Sequence, residues 1–239
     1  MWMEEKLKQI YGQITQSERV AFLATFIGGL LAHLYCYTNT IPNFDGLSRV
    51  YDEQQMTISG RWFLHYASSL NYYTQMPMVI GVLSMFFLAV SCLLIVRMFR
   101  LKSSLLAGIW GVLYAVFPAV AYTNSYTFTM SAYCFAVVLA VLAVFVTGIR
   151  KWGVVAGIVL LAFSMGTYQT YVAIAIVLSV LLILQQALQA ESQVKEILVN
   201  SGKYLLMLGL GTALYYGILK VFLYVKDLEL CSDQGRCGV

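Results

Sequence analysis

Apolar runs of about twenty residues recur along the whole chain, and they constrain it more than any other feature. Val20–Tyr37, Pro77–Met98, Ser103–Tyr122, Met130–Ile149 and Tyr204–Tyr224 are nearly free of charge inside. Each is long enough, at about 1.5 Å per residue, to approach or cross the roughly 30 Å hydrocarbon layer of a bilayer. A further run, from Gly153 to Gln189, is too long for one helix and is interrupted only by Gly166-Thr167-Tyr168-Gln169-Thr170. It reads as two segments, 153–165 and 170–189, meeting at a break below the membrane surface, where irregular backbone must be buried in protein or face a wet cavity. The chain is therefore expected to be an all-α, polytopic transmembrane bundle of about seven spans. Composition agrees, since 60% of the 239 residues are hydrophobic and only 11% are charged.

The turns give an orientation. The second span ends in Arg97, Arg100 and Lys102, the fourth in Arg150 and Lys151, and Lys195 and Lys203 lie in an amphipathic connector before the seventh. The intervening links around Thr123 and Gly166 carry no charge. Because basic loops stay on the cytoplasmic side, the alternation places the N-terminus in the cytoplasm of a multi-pass cell-membrane protein. The opening MWMEEKLKQI is charged, and no small-residue cleavage site follows the first span, so this start reads as a retained helix rather than a signal peptide. The modest net charge of +4 forms no basic stripe, which argues against nucleic acid as a partner. Cys36, Cys92 and Cys134 fall within or beside apolar segments as small hydrophobes, and Cys231 and Cys237 are the pair that could bridge outside the membrane. No metal-ligand spacing is present.

Chemistry is expected in the longest polar stretch, the external loop 38–76. It holds Asp45, Arg49, Asp52, Glu53, Arg61 and His65 among many aromatics, on the face opposite the basic turns. A partly desolvated carboxylate there could act as a base or hold a cation, and Asp45, in NFDG after Pro42, is the first choice. Asp52 and Glu53, in the polar run YDEQQ, rank second, a solvated loop explaining them equally well. Arg61 opens GRWFLHY, a short interfacial helix whose guanidinium either meets a phosphate or only anchors the interface. His65 reads more simply as an interfacial histidine than as a catalytic one. Tyr168 and Gln169, in the break, must find partners or line a cavity. A helix-to-helix hydrogen bond accounts for Gln169 as well as a substrate does. His33 and the glycines of Gly209-Leu210-Gly211 read as packing features.

Taken in order, NFDG after the first span, SGRW about fifteen residues on, Pro118 late in the third span, MGTYQTY after the fifth and YYGILK in the seventh form a series. This series resembles the GtrII-like membrane glucosyltransferases of bacteria. The resemblance implies a GT-C-like architecture and transfer of a glucosyl or related residue from a polyprenyl-phosphate sugar to a cell-surface polysaccharide, outside the cytoplasm. It further implies Asp45 as the base for the acceptor hydroxyl and Arg61, with Arg49 as second choice, as the positive charge facing the departing phosphate. Tyr168 and Gln169 would border the sugar pocket, and Trp62 would offer a stacking surface. No cofactor is implied firmly; because Gly46 stands where a second acid is common, a divalent cation would have to recruit Asp52 or Glu53. Members usually continue past the seventh span, so the ending CSDQGRCGV implies a truncated or frameshifted member, for which two outcomes stay open: an active transferase, or one inactive for want of part of its acceptor site. Two other classes compete: a transporter or flippase of lipid-linked sugar, which needs polar groups along a path through the bilayer, and a non-catalytic membrane scaffold.

Overall fold

The computed structural model describes residues 14–39, 53–69, 71, 76–149, 152–189 and 193–230. All regular structure among them is helical. In chain order the α-helices are α1 (Gln16–Ala32), α2 (Leu34–Thr38), α3 (Glu53–Ile58), α4 (Leu64–Ala67), α5 (Pro77–Met98), α6 (Ser104–Val116) and α7 (Pro118–Thr123). They continue with α8 (Met130–Ile149), α9 (Gly153–Thr167), α10 (Val172–Ala187) and α11 (Val194–Val225). A 3-10 turn, Gln169–Tyr171, leads into α10.

Among the described residues, five stretches are long and apolar enough to cross a membrane: Pro77–Met98, Ser104–Thr123, Met130–Ile149, Gln169–Ala187 and Val194–Val225. α9 is apolar but shorter, at 15 residues, and α1 has 17. Pro118 explains why Ser104–Thr123 is two helices in line. The residue before a proline is pushed out of the helical region, and Phe117 is extended at ψ 139° between α6 and α7. The connector expected before the last span is continuous with it. At about 1.5 Å per residue, the 32 residues of α11 reach farther than the hydrocarbon layer is thick, so its charged first turns project beyond it.

Packing follows small side chains. α1 lies against α5 and α6, α8 against α5 and α9, and α9 against α11. A Cβ on Gly111 would come within 2.7 Å of the Ala21 carbonyl oxygen, and one on Gly211 within 2.9 Å of the Leu161 side chain. Such contacts let helix backbones approach closely where lipid offers no hydrophobic drive for association. Buried hydroxyls are satisfied within the bundle: Ser84 Oγ donates to Ile80 O, Thr147 Oγ1 to Ala143 O, and Ser164 Oγ crosses from α9 to Ala136 O of α8. His33, as read from sequence, is a packing residue, its Nε2 lying 3.0 Å from Ala115 O.

One end of the bundle gathers Arg97, Arg100, Lys102, Lys195 and Lys203, linked across by Gln185 Nε2 to Phe99 O and Asn200 Nδ2 to Gln186 Oε1. Lys220, late in α11, and Lys226, its C-cap, lie toward the other end. At the basic end Glu18 ties two helices together. Its carboxylate caps α1 by accepting the Thr15 N–H, and it accepts Arg97 Nε at 3.0 Å and Nη2 at 2.8 Å. Burial alone would raise the Glu18 carboxyl, but the Arg97 and Thr15 hydrogen bonds and the Arg97 charge outweigh it and hold it below its ordinary value. Glu18→Gln is expected to lower stability in detergent by about 2 kcal/mol at neutral pH, the scale of hydrogen bonds to charged groups. A group whose folded pKa is depressed contributes above its unfolded value, near 4.3, and loses that contribution as pH falls through the folded one. The gap between wild type and Glu18→Gln should therefore close on acidification below about pH 4, as read by thermal unfolding.

Candidate functional site

The backbone between α3 and α4 is drawn into the bundle at the end opposite the basic cluster. Gly60 makes the turn with φ +82°, a left-handed conformation that favours glycine, and space demands glycine as well. A Cβ there would collide with Gln169 Nε2 and reach 2.8 Å from Tyr215 Oη. Those two side chains hold the turn: Gln169 Nε2 donates to Ser59 O at 2.7 Å, and Tyr215 Oη, from the middle of α11, donates to Gly60 O at 2.9 Å. A third bond runs from the Phe63 N–H to Gly166 O at 2.8 Å. This last bond satisfies one of the carbonyls left open where α9 ends. The break at Tyr168, extended at φ −157° and ψ 119°, is therefore irregular backbone braced by protein, with Gly166 and Thr167 buried, Tyr168 and Gln169 half-buried and Thr170 exposed.

Trp62 is placed differently from the sequence expectation. It is only 4% exposed, stacked on Phe222 at 5.6 Å and edge-on to Phe163 at 5.3 Å. Gly166 admits the ring, since a Cβ there would lie 2.6 Å from it. The indole thus fixes the loop to α9 and α11 and offers no open face for a sugar. Gln169 likewise spends its amide on positioning the Ser59 carbonyl.

Arg61 points the other way. Its guanidinium carbon lies 4.7 Å from the centre of the Tyr168 ring, within cation–π range, and Nη1 donates to Tyr133 Oη at 3.4 Å. Its Nε is buried without a hydrogen-bond partner, and among the described residues no carboxylate pairs with it. Sequence reading singled out Arg61 and Tyr168 but not Tyr133 or Tyr171, whose rings complete the surround. Tyr168 lies 5.6 Å from Tyr133 and 5.5 Å from Tyr171. The cation meets an electron-rich wall and keeps donor capacity for an anion.

Of the other candidates, His65 lies in α4, its ring edge-on to Tyr66 at 5.5 Å. Asp45, Arg49 and Asp52 fall outside the described residues, as do Cys231 and Cys237, and of Glu53 only the backbone is described, opening α3. Among the described residues, no group of three or more His, Cys, Asp or Glu side chains is placed to hold a metal.

A family model for "Glucosyl transferase GtrII" matches residues 34–237, which takes in the loop, the break and the last helix. The chain belongs to the GtrII glucosyl transferase family. No curated protein and no solved structure matches it significantly. For this GtrII family member, the match covers every residue of the clamp: Ser59, Gly60, Phe63, Gly166, Gln169 and Tyr215.

The clamp makes a specific demand on stability. Tyr215→Phe removes one donor and is expected to cost about 1 kcal/mol. Gly60→Ala forces both strain at φ +82° and displacement of two side chains, and should cost more, about 2–3 kcal/mol. Thermal unfolding of the two variants in detergent checks the order; equal stability of Gly60→Ala and wild type would contradict the clamp.

Proposed function

We propose that this GtrII family member is a multi-pass membrane glycosyltransferase acting on the extracytoplasmic face. It transfers a glucosyl or related residue from a polyprenyl-phosphate sugar to a cell-surface polysaccharide. Arg61 carries the reading. A half-buried guanidinium with an unpartnered Nε and no carboxylate partner among the described residues suits a phosphate that arrives with the substrate. Its position beside the helix break, at the end away from the basic turns, suits a headgroup-level site outside the cytoplasm.

In the reaction the acceptor hydroxyl oxygen attacks the anomeric carbon of the donor sugar while the bond from that carbon to the phosphate oxygen breaks. Asp45 takes the hydroxyl proton, and polyprenyl phosphate departs with the electron pair. The donor brings its own leaving group, so the protein's work is to align the acceptor and stabilise negative charge growing on the phosphate. Arg61 supplies that stabilisation, with Arg49 as its second. Tyr133 and Tyr168, backed by Tyr171, hold the guanidinium and border the sugar. A route through the bilayer has no comparable support, because the candidate spans carry few charged residues to line a path.

The test is transfer of label from radiolabelled polyprenyl-phosphate glucose to purified bacterial surface polysaccharides by the protein in liposomes. Arg61→Ala is expected to lower the rate about 100- to 1000-fold, the scale of losing one preorganised charge stabiliser, with Arg61→Lys recovering part of it. Asp45→Asn should cost about 100-fold or more through loss of the general base. Full transfer by Arg61→Ala would remove the phosphate assignment, and movement of intact labelled lipid across the membrane without glycan formation would favour a flippase instead.

A further inference from the structure

We propose that a row of tyrosines leading outward from Arg61 is the binding track for the glycan acceptor, an inference that rests on the transferase reading. From Tyr168, on which Arg61 lies, the next ring is Tyr133 at 5.6 Å, then Tyr126 at 6.5 Å and Tyr122 at 5.3 Å. Tyr122 is 67% exposed, in α7 near the end of a candidate span, so the row starts at the surface at headgroup level and finishes at the guanidinium.

Interfacial tyrosines are common and ordinarily act one by one, the ring in the acyl region and the hydroxyl in water. These four form a connected series. The hydroxyls of Tyr122 and Tyr126 lie 2.6 Å apart and hydrogen-bond to each other, and the Tyr133 hydroxyl accepts from Arg61. Along the row the ring planes meet at 67° and 71°, edge to face, and at 53°, tilted, so no two neighbours in the row lie in a parallel stack. The row thus presents phenol rings with centroids 5.3–6.5 Å apart and hydroxyls among them. A pyranose suits such a surface, having an apolar C–H face to lay on an aromatic ring and a rim of hydroxyls to bond with phenols. An isoprenoid tail has nothing to offer the hydroxyls, and the donor's phosphate is already placed at Arg61. The remaining reactant, a hydroxyl-rich polymer arriving from water, is the one whose chemistry fits the row.

The experiment compares wild type with Tyr122→Ala, Tyr126→Leu and the double variant in liposomes. Labelled polyprenyl-phosphate glucose serves as donor, with the purified bacterial surface polysaccharide that wild type modifies fastest. The double variant is expected to raise the KM for polysaccharide about tenfold, the scale of losing one or two aromatic contacts, and to leave the donor KM and the kcat at saturating polysaccharide unchanged. Tyr122→Phe, which keeps the ring and loses the hydroxyl pair, should fall between. An unchanged KM for polysaccharide, or a rise in the donor KM instead, overturns the track. Equilibrium binding of the fluorescently labelled polysaccharide in nanodiscs without donor supplies a readout independent of turnover. Weaker binding by the double variant supports the track even where wild type transfers no label, an outcome that would sink only the transferase reading. Equal binding by both proteins overturns it.

Discussion

The hydrogen bond from the Phe63 N–H to Gly166 O is the contact on which the site depends. A helix that ends inside an apolar bundle leaves carbonyls facing neither water nor another turn, and each one left unpaired would be costly in that environment. Drawing the 59–63 backbone onto the end of α9 resolves this, and it also decides where the loop's side chains go. Trp62 enters the core through the gap that Gly166 leaves. With Trp62 turned inward, Arg61 is directed to the opposite side, onto Tyr168 and toward Tyr133.

Two long-range bonds make that placement specific. Gln169 reaches Ser59, 110 residues away in sequence, and Tyr215 reaches Gly60 across 155. Both acceptors are backbone carbonyls, so the clamp constrains the path of the chain rather than the identity of the side chains it carries. The left-handed Gly60 lets consecutive carbonyls serve partners on two different elements, the 3-10 turn and α11. A rigid turn of this kind holds a cation in place without a carboxylate counter-ion among the described residues, and such a counter-ion would neutralise the charge that the proposed chemistry uses.

Much of this was legible in the sequence, in uneven ways. Apolar runs mark membrane segments by length alone, and the polar interruption at Gly166–Thr170 marked the helix break, because polar residues rarely enter such a run without a structural reason. Arg61 stood out as the charge that opens the amphipathic GRWFLHY of the polar loop. The tyrosines did so less: Tyr171 and Tyr215 fall within the MGTYQTY and YYGILK motifs without a role of their own, Tyr133 lies among apolar residues, and nothing local says that Tyr215 will meet Gly60. Trp62 was misread because an aromatic beside an arginine looks interfacial in one dimension; only the space left by a glycine a hundred residues away shows that the ring can go in. The end of the connector before α11 was equally hidden, since an amphipathic turn and the first turns of a projecting helix share one pattern.

The two ends of the bundle are built on opposite electrostatic principles, and the contrast follows from what each must do. At the basic end Arg97 has a counter-ion, Glu18, which itself caps a helix, so charge there is used for structure. At the other end Arg61 is left against phenol rings, which hold it through the Tyr168 quadrupole and one Nη1 bond to Tyr133 and leave its other N–H groups to an incoming anion. A carboxylate in place of Tyr168 would bind Arg61 more tightly and would also compete directly with phosphate. Aromatic support therefore gives the arrangement that positions the charge yet leaves it available. Because the support is made of tyrosines rather than phenylalanines, the same wall also carries hydroxyls outward to Tyr122, joining a site for phosphate to a surface suited to sugar.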